Sequence, residues 1–560
     1  MKIRIFFLIW IVAGMLGVYN YILHPPVPVI ASAPLTAERP PAHRVMLLPL
    51  DSRPPCRKFV IDAGRIANTE VIVPPPEILD YYTEAGKPQE LAEWIEANID
   101  SCDAAILSID QLLYGGLLAA REAGRSPAEI ETRLDFLTSL HERHPQVPLY
   151  AFNILPRLTP PASIDGYEER RDITKYSRLL DEYSAYDGKI NSRELTALEQ
   201  KIPPESLARY RSLFEKNTVL NEKLSLMAKQ GILKRLIIGQ DDGEKYGIPN
   251  IEKRLIRQYL QTQNIPEEQV CITHGADEVA LTLLAEINDQ RTSFQPKIYV
   301  EYNSAATPDF IMPYMAVSTG TTVEEKLQML HAHRADTPEA ADIILFVSCG
   351  NTDNLSDRQQ NAARLHELVA SGKPVALVDL SKHFQASETL LPFLIKNDTP
   401  INALTAYAGW NTTSNSIGTA LAEALLFTSE RAAAQTKDDV LFLYQNNLRF
   451  LNNRFLEDYF YLKDVIDLVN TQLKKAGYTN VYDLDLDHNY RWCNFMLRQA
   501  MQRRITTFKN TRAFSQPFNI ETPDGPTKLH LREMTADISY PWPRTFEIYL
   551  QTTLWIDEAK

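Results

Sequence analysis

The stretch VMLLPLDSRPP (residues 45–55) sets an unbroken apolar run against an abrupt polar ending, Asp51, Ser52 and Arg53, stiffened by Pro54 and Pro55. A continuous aliphatic run of this kind marks a strand buried on both faces, unlike the alternation of a half-exposed strand. The same unit recurs at 71–73, 104–109, 149–153, 236–238 and 270–273, and again at 298–302, 343–348, 375–378 and 403–408. Helical segments with capping signals lie between the runs; Ser126, with Glu129 three residues later, opens one that reaches His144. Strand–helix alternation predicts an α/β protein with a parallel-sheet body, TIM-barrel-like or doubly wound.

A chain of 560 residues exceeds what one hydrophobic core organises, so more than one unit is expected. Residues 43–294 read as an N-terminal α/β domain. It carries a charged, strand-free helical insertion at about 160–231. Residues 295–428 read as a second α/β domain, and 429–560 as a C-terminal helical region with a small β element. In that last region Tyr444, Leu448, Leu451, Phe455, Tyr459, Leu462 and Val465 recur at helical steps, and Phe546, Ile548 and Leu550 alternate.

Ahead of these units, Lys2 and Arg4 precede an apolar run from Ile5 to Leu23, the pattern of a signal peptide or membrane anchor over residues 1–24. A Pro- and Ala-rich linker comes next at 25–42. Basic residues before the apolar run place the body outside the cytoplasm, periplasmic or at the cell surface, in contact with the membrane through this segment. The formal net charge of -13 is spread over short clusters, which excludes the concentrated basic footprint of a nucleic-acid binder. The five cysteines are far apart, with no metal-site spacing, and Cys102, Cys271 and Cys349 read as small buried hydrophobes.

In parallel α/β folds, ligands gather at the carboxyl ends of the strands, so the residues just past each apolar run are informative. Those endings supply Asp51 and Arg53, then Asp110 before the Gly115–Gly116 pair, then Asn153 and Arg157. Later runs end in Gln240, Asp241, Asp242 and Gly243, in His274 with Asp277 and Glu278, and in Asn303. Two adjacent carboxylates can split their protonation, one staying ionised while the other keeps a proton, as acid/base chemistry requires. Asp-Asp-Gly is equally a turn sequence, and Asp242 could cap a helix beyond it. Arg53 and Arg157 offer planar forks suited to an anionic substituent, although Asp51 and Arg53 could equally form a structural ion pair. The segment AYAGWNTTSN (406–415) combines a strand, a Gly turn and a helix start, where Asn411 and Asn415 suit hydroxyl-rich ligands and Trp410 suits a sugar ring. The other reading has Asn415 capping the helix and Trp410 packing in an interface. No nucleophile elbow, phosphate loop, dinucleotide fingerprint or paired-His zinc helix is present in the sequence.

The blocks PLDSRPP (49–55), GQDDG (239–243) and AGWNTTSN (408–415) resemble the signatures of an uncharacterised bacterial family of about 500 residues that would span nearly the whole body. That resemblance implies no reaction. The Asp241–Asp242 pair is also similar to the paired acids of β-N-acetylhexosaminidases. These features together predict an exported hydrolase, a glycoside hydrolase of cell-envelope or extracellular saccharides, with Asp241, Asp242 and Asp110 as its acids. Asp51, Arg53, Asn153, Arg157, Gln240, His274, Asn303, Trp410, Asn411 and Asn415 are expected to hold a small-molecule or saccharide substrate. No cofactor is expected. The alternatives are a metal-dependent hydrolase with Asp51, Asp110, Asp241 and Asp242 as oxygen ligands, or a two-lobed protein that binds a sugar or anion without chemistry.

Overall fold

In the computed structural model, which describes residues 14–15, 35–122, 126–164, 166–190 and 192–559, the apolar runs become parallel strands of two separate sheets. The first sheet holds β1 (His43–Leu48), β2 (Thr69–Ile72), β3 (Ala104–Ser108), β4 (Leu149–Leu155), β5 (Arg235–Gln240) and β6 (Val270–His274), in the order β2-β1-β3-β4-β5-β6. The second holds β7 (Lys297–Tyr302), β8 (His333–Arg334), β9 (Ile343–Cys349), β10 (Val375–Leu380) and β11 (Ala406–Ala408), in the order β11-β10-β9-β7-β8. Every pairing within these two sheets is parallel.

Counted from its second strand, each sheet takes the same path, 2-1-3-4-5, with the first carrying one strand more. The order reverses beside the first strand, and such a reversal opens a crevice at the strand ends. Among the described residues neither sheet closes on itself, so the doubly wound alternative holds and the TIM-barrel-like one falls.

Side-chain alternation along these strands feeds two cores. Val45 and Leu47 of β1 enter one, and Met46 and Leu48 enter the other. The core built on Val45, Ile106, Phe152 and Ile237 also contains Ile298, Leu345, Val347 and Val378 of the second sheet. The two sheets therefore face each other across one apolar layer. The helices Val279–Thr292 and Thr413–Ala433 fill it, and the second is buried without interruption from Thr413 to Ser429. A helix buried on all sides needs small residues where it meets a neighbour. At Gly418 a Cβ would come within 2.4 Å of Glu278 Cγ.

The outer face of the first sheet is covered by helices that include Pro88–Asn98 and Pro127–Arg143. The second of these opens on the expected capping box of Ser126 and Glu129. Residues 167–229 form three helices beside that sheet, which share a core around Tyr176, Tyr210 and Phe214. The outer face of the second sheet packs on a C-terminal helical region and on an antiparallel sheet of β12 (Phe518–Thr522), β13 (Gly525–Ser539) and β14 (Tyr549–Glu558). The long helix expected there runs from Lys437 to Lys475, but between Phe455 and Val465 it widens to π-helical turns. All five cysteines are buried and free. The expected membrane-targeting run lies outside the described residues apart from Gly14 and Met15. Among the described residues no helix is long and apolar enough to cross a membrane.

Because one layer serves both sheets, a cavity in it should weaken both. Leu421→Ala, at a fully buried position of that layer, is expected to cost about 2–5 kcal/mol while leaving a single urea transition. Separate transitions for residues 43–274 and 297–408, tracked by limited proteolysis, would contradict a shared core.

Candidate active site

The carboxyl ends of the strands open into a cleft of about 360 Å³. The first sheet contributes Asp51 and Arg53 after β1, Leu117 and Arg121 after β3, Arg157 after β4, Asp241 and Asp242 after β5, and Asp277 after β6. The second adds Tyr314, Phe384 and Asn411, and the segment between β13 and β14 closes the wall with Trp542, Arg544 and Phe546. A narrow recess continues inward, lined by Gln240, His274, Asp277, Ser414 and Asn415 among others. The stretches 49–55, 239–243 and 408–415, far apart in the chain, thus meet in one place.

Arg53 forms the floor. Its guanidinium donates to Asp51 Oδ2 from Nε (2.9 Å) and Nη2 (2.6 Å), and Nη2 also donates to Asp277 Oδ1 (2.7 Å). The turn is stiffened from below: the Arg53 N–H donates to Asp51 Oδ1, and the Ser52 N–H donates to Asp80 Oδ1 (2.9 Å). From above, Trp542 Nε1–H donates to the Ser52 hydroxyl (2.9 Å). Burial pushes Asp277 up to about 6 even against the pull of Arg53, and burial with the nearby Asp51 charge lifts Asp80 to about 8. Asp51 and Arg53 form the buried ion pair that one reading expected, and they line the cleft.

Asp241 and Asp242 differ as the sequence suggested neighbours would. Burial would raise the Asp241 carboxyl, but Arg121, bonded directly to Oδ2, together with Arg157 holds it below the ordinary carboxylate range. Asp241 Oδ1 also accepts the Asp242 N–H (2.8 Å), which fixes the turn. For Asp242, burial and then the charge of Asp241 push the carboxyl up to about 7. Its side chain is still about one third open to the cleft, and its nearest cation, Arg157 Nη1, is 3.9 Å away. The site therefore holds one fixed negative charge beside one carboxyl that keeps its proton near neutrality.

Gly239 makes this placement possible. A Cβ there would stand 2.5 Å from the Gly275 carbonyl oxygen, so only glycine lets β5 pass the start of the loop that carries Asp277. The opposite wall is held by the π-helical segment. Gly409 donates its N–H to Asp458 Oδ2 (2.9 Å) and accepts from Lys463 Nζ at its carbonyl (2.8 Å), and Lys463 also lies over the Phe384 ring. Widened π turns shift the side chains beyond them, and here they allow two groups five residues apart to grip one peptide. Tyr314 (φ 64°), Phe384 (φ 55°) and Asn411 (φ 55°) all take the left-handed backbone conformation at this wall. For bulky residues that conformation costs about 1–3 kcal/mol each and marks positions where the surroundings dictate the geometry.

Several expected site residues lie elsewhere. Asp110 does not line the cleft: it accepts the Ile154 N–H (3.0 Å), burial lifts it to about 7, and it faces a small cavity next door that shares Leu117 and Arg121. Asn153 is fully buried and spends its amide on Asn217 and Asn221. Asn303 ties β7 to β9 through Cys349 and Asp353 within the second sheet's own edge. Trp410 is only 2% exposed and packs against Phe59 and Phe546, so it is part of the interface and not a platform. Gln240 and His274 reach only the recess, where both meet Lys253 Nζ (2.6 and 2.7 Å). Asn415 donates to Asp277 Oδ2 there (3.4 Å).

Among the described residues, the one group of three carboxylate, thiol or imidazole side chains near enough to share an ion is Asp51, Cys56 and Asp277. The Arg53 guanidinium already bridges its two carboxylates. Asp51, Asp110, Asp241 and Asp242 do not converge as a ligand set.

A family model described as "Protein of unknown function (DUF4127)" matches residues 45–551, and the chain belongs to that family. The matched span includes every residue named above as lining the cleft. No curated protein matches. A solved structure described as "The first ketoreductase of the tylosin PKS" is similar over 70% of this chain and 77% of that one, at 10% identity and a TM-score of 0.17. A likeness that low carries no argument.

Removing the cation of the floor should leave two buried carboxylates facing each other. Arg53→Met is expected to lower stability by about 3–5 kcal/mol at pH 8. The loss should be smaller at pH 5, because the folded state then holds a proton on Asp277 that the unfolded chain does not need. An unfolding free energy that is unchanged, or that falls equally at both pH values, would show that the bridge does not tie the strand ends together.

Proposed function

We propose that this member of an uncharacterised family is an exported glycoside hydrolase acting on cell-envelope or extracellular saccharides. The observation that carries the proposal is the Asp241–Asp242 pair on the wall of an open cleft, one carboxylate clamped by Arg121 and the other facing the space. In this reading Asp242 passes its proton to the glycosidic oxygen as the bond from that oxygen to the anomeric carbon breaks. The positive charge that develops on the sugar is met by the ionised Asp241. Water then adds to the anomeric carbon and returns a proton to Asp242, which completes hydrolysis with no redox partner.

The environment favours this division of labour. Arg121 keeps Asp241 charged, and the desolvation that raises Asp242 also strengthens Asp241's field on the developing cation. Tyr314, 57% exposed at the cleft wall, takes the stacking role first expected of Trp410. Asn411, on the same wall, is placed for sugar hydroxyls. The N-terminal apolar run supports export to the periplasm or cell surface.

Asp242→Asn should reduce kcat by at least about 10²-fold on chromogenic aryl glycosides while leaving the circular dichroism spectrum unchanged. Full turnover in that variant would refute the assignment, and tight sugar binding by the native protein without any released product would replace it with a binding role. Because the acid form of Asp242 does the work, activity should be present below pH 7 and fall as pH rises through about 7. Tyr314→Ala should raise KM more than it lowers kcat, whereas an unchanged KM would remove Tyr314 from the sugar site.

A further inference from the structure

Among the described residues four arginines line the cleft, and three are occupied within the protein. Arg53 is bonded to Asp51 and Asp277, Arg121 to Asp241, and Arg544 lies in a forked bond with Glu547. Arg157 differs. Among the described residues its nearest carboxylate oxygen, on Asp242, stands at 3.9 Å, beyond hydrogen-bonding distance, and its Nε–H, like that of Arg121, has no acceptor. About one third of its side chain opens on the cleft. Burial and the neighbouring Arg121 both make its charge costly, yet a guanidinium stays ionised in proteins. A largely buried cation with unused donors, kept beside a like charge, calls for an external partner.

We propose that Arg157 is the specificity-determining residue of this cleft and that the sugar bound beside Asp241 and Asp242 carries an anionic oxygen substituent, a carboxylate or a sulfate or phosphate ester. The position relative to the scissile bond rests on the hydrolase reading, but recognition of the anion does not. The planar fork donates to two oxygens of such a group in parallel, which a neutral hydroxyl cannot reproduce. Binding also feeds back on the acid. Arg157 pulls the Asp242 carboxyl toward ionisation, and an anion that satisfies Arg157 cancels that pull, so the acid keeps its proton once the charged substrate has docked.

Isothermal titration of the native full-length protein with D-glucuronate, D-glucose 6-sulfate and D-glucose tests this directly. Charge-assisted bonding predicts at least about tenfold tighter binding of an anionic sugar than of glucose. The glucuronate and sulfate arms distinguish a carboxylate from an ester. Arg157→Gln should remove the preference and Arg157→Lys should keep part of it, both with an unchanged circular dichroism spectrum. Equal binding of charged and neutral sugars, no binding of either, or a preference that survives in Arg157→Gln would overturn the proposal. A preference for glucuronate in a protein that cleaves no glycoside would sink the hydrolase reading alone. With anionic glycosides the alkaline limb of kcat should lie above that of kcat/KM, a shift that loss of mere structural support would not produce.

Discussion

Arg53 holds the site together. Its guanidinium reaches carboxylates that lie just past β1 and β6, strands separated in the sheet by β3, β4 and β5. A buried cation serving two carboxylates is weak evidence for stability in itself, since desolvation offsets much of the attraction. Its value is geometric. The bridge fixes how far the two ends of the sheet's carboxyl edge can part, and through Asn415 and Asp277 it also ties in the helix Thr413–Ala433. With the floor set, Asp241 and Asp242, just past the intervening β5, stand where the cleft opens.

The second constraint is the apolar layer shared by the sheets. It forces both carboxyl edges to border one space, so charged groups from one sheet face aromatic and amide groups from the other. The division is sharp: the acids and three of the four arginines come from the first sheet, whereas Tyr314, Phe384 and Asn411 come from the second. The π-helical segment belongs to neither sheet, yet it holds Gly409 by both its N–H and its carbonyl. Strain at Phe384, whose ring lies under Lys463, is thus sustained by packing from a third region, as expected where the backbone is held for a purpose other than its own stability.

Much of this was legible in the sequence because continuous apolar runs have one economical solution, a parallel sheet covered on both faces, and polar residues at their ends must then crowd one edge. Asp51, Arg53, Arg157, Asp241, Asp242 and Asn411 emerge from that reasoning. Asn153 and Asn303 illustrate its limit: a polar residue at a strand end can point to the cleft or back into the sheet's own helices, and only the local path of the loop decides. Trp410 carries the same ambiguity, and burial resolved it toward packing. Trp542, Arg544 and Phe546 were out of reach for another reason, since they come from a region whose docking onto the strand ends is tertiary and leaves no periodic trace. Arg121 had a signal, close behind a helix start set by Gly115 and Gly116, but its partner Asp241 is 120 residues away. Asp277 was visible as an acid past a strand end, but its link to Arg53 depends on how the sheet brings β1 and β6 together.

The locked and the unlocked groups of the cleft separate by role. Asp51, Asp277, Arg53, Arg121 and Arg544 are paired inside the protein, so a ligand could recruit them only by breaking a buried pair, at a cost of several kcal/mol. Among the described residues Asp242, Arg157, Tyr314 and Asn411 have no such commitment to break. A site meant only to hold the fold together would satisfy its donors and acceptors internally, because an unmet polar group in a desolvated setting is expensive. The groups left unsatisfied here are adjacent, of complementary kinds and open to one space: a proton donor, a cation, a ring and an amide. Selection for stability alone has no reason to leave that combination together, whereas recognition of a polar ring compound bearing a charge uses all four.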